Sequence, residues 1–124
     1  MSSLAVQGCT VQITSGQQAA SIVIVTQPSS AIKVNGTGVY FGDIDVQLTT
    51  LSQGNLTCPS GTITISGTVE DVCELSGESS KPAVQEGDEG EATLTFTDSS
   101  TGSSTPVKVK VKITDAGQSD VTVP

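Results

Sequence analysis

Three cysteines, Cys9, Cys58 and Cys73, carry the strongest metal-binding and nucleophilic chemistry in this chain of 124 residues, and histidine is absent. No two of them form a CxxC pair, and their number is odd, so a disulfide framework is not expected. Three readings of the thiols stand. They can be buried and act as small apolar side chains. Alternatively they are Cys ligands of a metal site, or two of them form a single disulfide.

Other constellations are excluded more firmly. Without histidine there is no Ser-His-Asp or Cys-His arrangement. No GxGxxG or GxxxxGK[ST] phosphate loop occurs. The carboxylates crowd between residues 70 and 91, where Glu70, Asp71, Glu74, Glu78, Glu86, Asp88, Glu89 and Glu91 face the single Lys81. Calcium wants such oxygen ligands. The run from Glu86 to Glu91 lacks the spacing of an EF-hand, however, and reads as a solvated acidic loop. It offers no apolar pocket to raise a carboxyl pKa for acid–base work. Tyr40, Phe41 and Phe96 are the only aromatics, too few for a stacking platform. An enzyme is therefore not expected. The two Asn-x-Thr sequons, at Asn35 and Asn55, read as turn residues.

The formal charge of −8, with no arginine, repels phosphate backbones and anionic membrane surfaces, so no nucleic-acid partner is expected. No stretch approaches the ~20 apolar residues of a membrane helix. The opening residues Met1–Ala5 show neither a basic region nor an apolar signal core, so no secretory signal is expected.

The elements that must position these residues are strands. Val, Ile and Thr dominate, and Ser and Thr make up over a quarter of the chain. Apolar residues alternate with polar ones at Val11/Ile13, Ile44/Val46/Leu48, Ile63/Ile65 and Leu94/Phe96. The strictest run is Val107–Ile113, four β-branched residues interleaved with Lys108, Lys110 and Lys112. The lysine stripe reads as a solvated face or a charged edge that blocks aggregation. Its functional reading is docking on an acidic surface, including the chain's own region 70–91. Turn signals at Pro28–Ser30, Asn35-Gly36, Gly42-Asp43, Pro59–Gly61, Ser76-Gly77 and Gly87-Asp88 separate the runs. The expected fold is all-β, a sandwich, barrel or β prism of short strands. Strands Glu91–Thr97 and Pro106–Thr114 are expected to form a C-terminal hairpin around a long, mobile loop.

The chain also repeats itself. Ile22-x-Ile24, then Ile32, Val34 and Gly36, corresponds to Ile63-x-Ile65, then Val72, Leu75 and Gly77. Each unit ends in Gly-Asp, at Gly42-Asp43 and Gly87-Asp88. One such unit cannot bury its apolar face alone, so two would fold around a shared axis. This organises the chain as residues 1–90, holding two repeats, and a hairpin extension, 91–124, packed on the same domain.

On these residues the chain resembles the PAAR-repeat family. Ile32-Lys33-Val34-Asn35-Gly36 is similar to that family's middle turn, and Pro82-Ala83 to half of its name motif. Leu4-Ala5-Val6-Gln7-Gly8-Cys9 looks like the start of some PAAR-like proteins, and the resemblance covers roughly residues 4–90. It implies a small β-rich cone seated as a monomer on the blunt end of a trimeric β-helical spike. Such spikes occur in type VI secretion systems, phage tails and related contractile particles. It implies a mechanical, non-catalytic role in piercing an envelope, assembly in the bacterial cytoplasm, delivery outside within the particle, and room for a carried effector. PAAR proteins are expected to hold zinc with three His and one Cys, and this chain has no His; zinc would have to be held by Cys9, Cys58 and Cys73, Cys58 falling where the family cysteine is expected. Gln85 stands where the name motif has arginine. The competing reading is an immunoglobulin-like or jelly-roll module that decorates a phage or cell surface.

Overall fold

The computed structural model describes residues 2–29, 33–69, 82–118 and 122–123. Ile32, Val72, Cys73, Leu75, Gly77, Lys81 and the acidic residues between 70 and 78 lie outside the described residues. Strands are β1 (Ser2–Ser3), β2 (Thr10–Ile13), β3 (Gln18–Ile24), β4 (Lys33–Val34), β5 (Thr37–Gly38), β6 (Asp43–Gln53), β7 (Leu56–Ser66), β8 (Glu89–Asp98), β9 (Ser104–Asp115) and β10 (Thr122–Val123). The fold is all-β, and among the described residues no helix is long and apolar enough to cross a membrane.

Six strands form one antiparallel sheet in the order β2-β9-β8-β7-β6-β3. Read around the sheet, sequence neighbours stand side by side, and β2 and β3 approach each other at its two ends. The result is a nearly closed, up-and-down barrel, without the facing pair of sheets a sandwich needs.

Binary patterning explains the closure. Ile44, Val46, Leu48 and Leu51 of β6, Ile63 and Ile65 of β7, Phe96 of β8, and Val109, Val111 and Ile113 of β9 are all fully buried. The polar residues between them face out. Strict alternation would turn Leu51 outward, because it lies three residues after Leu48. Thr50 corrects the phase by adopting φ +53°, so Thr49 and Thr50 are both exposed and Leu51 returns to the core. On β7 the exposed pair Pro59 and Ser60 makes the same correction and keeps Cys58 inside.

The C-terminal hairpin is part of the barrel wall, with β9 between β2 and β8. Its ladder continues to Thr97↔Ser104, so the connection is shorter than the sequence predicts. That turn is tied. Asp98 accepts from the Ser100 amide (2.8 Å) and hydroxyl (2.6 Å), which hold its carboxyl below the usual range. The Gly102 amide donates to the Asp98 carbonyl.

Candidate functional site: a three-way strand junction

One end of the barrel is plugged by three short segments that cross in a triangle. Their central residues are Ala5, Tyr40 and Val84. The Ala5 N–H donates to the Val84 carbonyl (2.8 Å), Val84 to Tyr40 (3.0 Å), and Tyr40 back to Ala5 (3.1 Å). A second ring joins the residue two after each centre to the residue two before the next. Gln7 donates to Gly38 (3.0 Å), Gly42 to Pro82 (2.7 Å) and Glu86 to Ser3 (2.8 Å). The flanking residues pair as Leu4↔Gln85, Val6↔Val39 and Phe41↔Ala83. Every bond in this set maps onto the next by a one-third turn, so one chain has built a pseudo-threefold axis.

The same relation extends outward. Each segment passes through a glycine of positive φ, Gly8 (+97°), Gly42 (+73°) or Gly87 (+96°), and then enters β2, β6 or β8. This left-handed backbone lets the chain leave the triangle and turn up the wall, and a side chain there would be strained. Each strand returns as β3, β7 or β9. After each return, one residue donates to the carbonyl just before a junction centre. Ser29 N donates to Val39 O, Thr68 N to Ala83 O, and Gln118 Nε2 to Leu4 O. The barrel is thus three successive strand pairs around one axis, of which β6–β7 and β8–β9 are laddered hairpins.

Alternation divides the side chains of the junction. Ala5, Tyr40 and Val84 join the barrel core. Leu4, Val6, Val39, Phe41 and Ala83 point the other way and form a second buried cluster with Val34. Apolar packing on both sides of backbone-paired segments makes a stiff plug.

The turn residues singled out from sequence now have positions. Asn35 (φ +53°) and Gly36 (φ +82°) form the two-residue turn between β4 and β5, as the Asn-Gly dipeptide predicts. Gly42-Asp43 and Gly87-Asp88 are the exits from the second and third segments, while Pro82 and Ala83 lie in the triangle itself. Asp88 is buried at 6% exposure. Its carboxylate accepts from the Thr68 hydroxyl (2.6 Å) and the Gln85 amide (2.9 Å), which ties the third segment to the chain just after β7.

The two-unit pattern read from the sequence rests partly on Ile32, Val72, Leu75 and Gly77, which lie outside the described residues; the described junction has three segments, the first centred on Ala5. Ala-Val-Gln occurs at Ala5–Gln7 and again at Ala83–Gln85. The structural match, however, sets Ala5 against Val84, one position out of that alignment.

Of the described thiols, Cys9 and Cys58 stand at different levels of the barrel. Cys9 follows the first exit turn and lines a cleft with Ile24 and Tyr40. Cys58 is buried near the far end of β7, donating to the Ser60 carbonyl (3.3 Å). Ile24 pairs with Val46, and Leu51 with Cys58. Five residues of β6 therefore separate the two levels, roughly 15 Å. Two thiolates on one zinc sit within about 4.6 Å of each other. Cys73 lies outside the described residues. Among the described residues no group of three or more Cys, Asp or Glu could hold a metal ion. Burial, with a smaller contribution from Asp115, pushes the Cys9 thiol up to about 11 against an opposing backbone hydrogen bond, so near neutrality it stays protonated.

The lysine stripe has an acidic neighbour within the chain. Lys112 stands opposite Glu89 and Lys110 opposite Glu91, with Lys110 Nζ 3.7 Å from Glu91 Oε2. Both side chains of that pair are about half exposed, so it stabilises by no more than about 1 kcal/mol.

No family model, curated protein or solved structure matches the chain, so the junction's own geometry carries the functional argument.

Proposed function

We propose that this protein is a non-catalytic cap for the end of a trimeric spike in a contractile injection machine. The single observation that carries the reading is the pseudo-threefold junction. A monomer with approximate threefold symmetry can meet three identical subunits with three similar surfaces. A monomer without that symmetry meets at most one or two of them well. The PAAR-like turn residues that suggested a spike partner, Gly42-Asp43, Pro82-Ala83 and Gly87-Asp88, are the residues that build the junction and its exits.

The mechanics follow from packing. A trimeric β-helix ends in open strand edges, which invite aggregation unless covered. A cap held by two rings of main-chain hydrogen bonds between two apolar clusters resists shear, and it concentrates the driving force on a narrow area. Such a part is assembled in the bacterial cytoplasm and leaves with the particle. The single barrel gives no support to an immunoglobulin-like or jelly-roll architecture for the competing decoration role.

The test is stoichiometry. The purified chain is mixed with a trimeric β-helical spike protein from such a machine, and the complex is weighed by native mass spectrometry. One chain per trimer is the expected result. Three chains per trimer, or no complex, would refute the reading.

A further inference from the structure

The three strand pairs are not equally closed. The β6–β7 and β8–β9 hairpins have complete ladders, Asp43↔Ser66 to Gln53↔Leu56 and Glu89↔Lys112 to Thr97↔Ser104. Among the described residues no ladder joins β2 to β3. In its place is an open cleft of about 280 Å³, lined by Gln7, Cys9, Val11, Ile22, Ile24 and Tyr40, among others.

Main-chain parity shows which groups the gap leaves over. Val25 N–H donates to Asp45 O on β6 (3.0 Å), so the amides of Ile22 and Ile24, odd-numbered steps away, point to the opposite edge. Thr14 N–H donates to Lys110 O on β9 (2.9 Å), so the amides of Val11 and Ile13 point into the gap from the other side. Among the described residues two unpaired edges therefore face each other.

This region is also the neutral part of the molecule. The first 32 residues contain no charged side chain, and the other 92 hold all five lysines and all thirteen carboxylates. Sheet edges are ordinarily protected by lysine, proline or a bulge. Here β3 has none of these, and beside the gap Val23 on it (52%) and Val25 just after it (48%) are, among the described residues, the exposed large apolar side chains. Among the described residues, charges flank the gap on the neighbouring strands, Asp45 beyond β3 and Lys110, Lys112 and Asp115 beyond β2.

We infer that the β2–β3 gap accepts an extended, uncharged, β-branched segment of a partner protein, which pairs with the free edge of β3 and closes the third strand pair. Main-chain pairing supplies the affinity in such strand addition, and side-chain pockets supply selectivity. The neutral cleft selects an uncharged strand, because a charge there would lose water beside Ile22 and Ile24 without a counter-ion. A second folded copy fits less well. Its own β3 is already paired to β6 and offers one edge, whereas the gap presents two, and each copy brings a charge of −8. The proposal does not depend on the spike reading.

The probe is a blocked seven-residue peptide of alternating threonine and valine, titrated to millimolar concentration against the isotope-labelled full chain, with amide exchange followed by NMR. In the free chain the amides of Ile22 and Ile24 exchange faster than those of Val23 and Val25. With peptide they slow by about tenfold or more. The double variant Val23→Lys/Val25→Lys, on outward-facing side chains, abolishes that protection while its spectrum stays folded. Three results would overturn the proposal. One is no slowing at millimolar peptide. A second is protection already complete in the free chain. The third is protection that rises with protein concentration alone, which would make a second copy the occupant.

Discussion

The seam between β7 and β8 gives the sharpest test of the packing. Two glycines sit on it, Gly61 on β7 and Gly90 on β8, and neither has the positive φ that would make glycine obligatory. A Cβ at Gly90 would lie 2.9 Å from the Thr64 carbonyl carbon and 3.0 Å from Ile65 Cγ1, and closer still to the Thr64 oxygen. Unstrained carbon pairs stand about 3.5 Å apart or more, so β7 would have to move by at least ~0.5 Å. A Cβ at Gly61 would lie 2.5 Å from Leu94 Cδ1, a larger overlap on paper, but with the tip of a half-buried side chain. Leu94 can turn at an expense of about 0.5–1.5 kcal/mol. Both substitutions to alanine gain about 0.4–1 kcal/mol from a stiffer unfolded chain. Gly61→Ala should therefore change stability by less than about 1 kcal/mol. Gly90→Ala, which must displace main chain, should lose about 3 kcal/mol. For a chain of this size that is a fall in Tm of roughly 10 °C. Calorimetry with matched urea unfolding would measure both. Equal effects, or a Gly90→Ala protein as stable as the parent, would refute the argument that the neighbour's freedom decides the outcome.

Two further outcomes follow from single residues. Thr50→Gly should stabilise the chain by up to about 1 kcal/mol in urea unfolding, because a β-branched residue at φ +53° is strained by about 1–2 kcal/mol and glycine's flexibility returns part of that. Cys9 sets an alkaline limit. Its thiol is raised from 9.0 to about 11, so the folded state holds the proton longer than the unfolded one. The associated stability is full below pH 9 and is lost as pH rises towards 11. Burial also raises the Tyr40 hydroxyl from 10.0, so urea unfolding of Cys9→Ala should lack the decline between pH 9 and 10 and keep the part above it.

What was legible in the sequence was local. Alternation located β6 to β9 and their buried faces, because a period of two survives in side chains that pack on one core. The Asn35-Gly36 turn was legible because few dipeptides tolerate two positive φ values in succession. The junction was not, for a physical reason. Its bonds run between main-chain groups, which every residue carries, so Ala5, Tyr40 and Val84 can occupy equivalent places with nothing in common. The phase slip at Thr50 was hidden likewise, since threonine advertises a strand and not a left-handed turn. The zinc reading of Cys9, Cys58 and Cys73 turns on a convergence in space that sequence spacing does not encode.

The junction also dictates the order in which the molecule can be made. Its centres stand at positions 5, 40 and 84, and Gln118 supplies the last capping bond. The long hairpins need only near neighbours and can form within microseconds of collapse. The plug needs contacts that close loops of 35 to 79 residues, as position 40 minus 5 and 84 minus 5 show. It must therefore wait until most of the chain is present. During synthesis the segment around Ala5 can pair with the segment around Tyr40 once that emerges, but its bonds to Val84 and Glu86 must wait for the third segment. The β2–β3 pair, which lacks its own ladder, waits with it for β6 and β9.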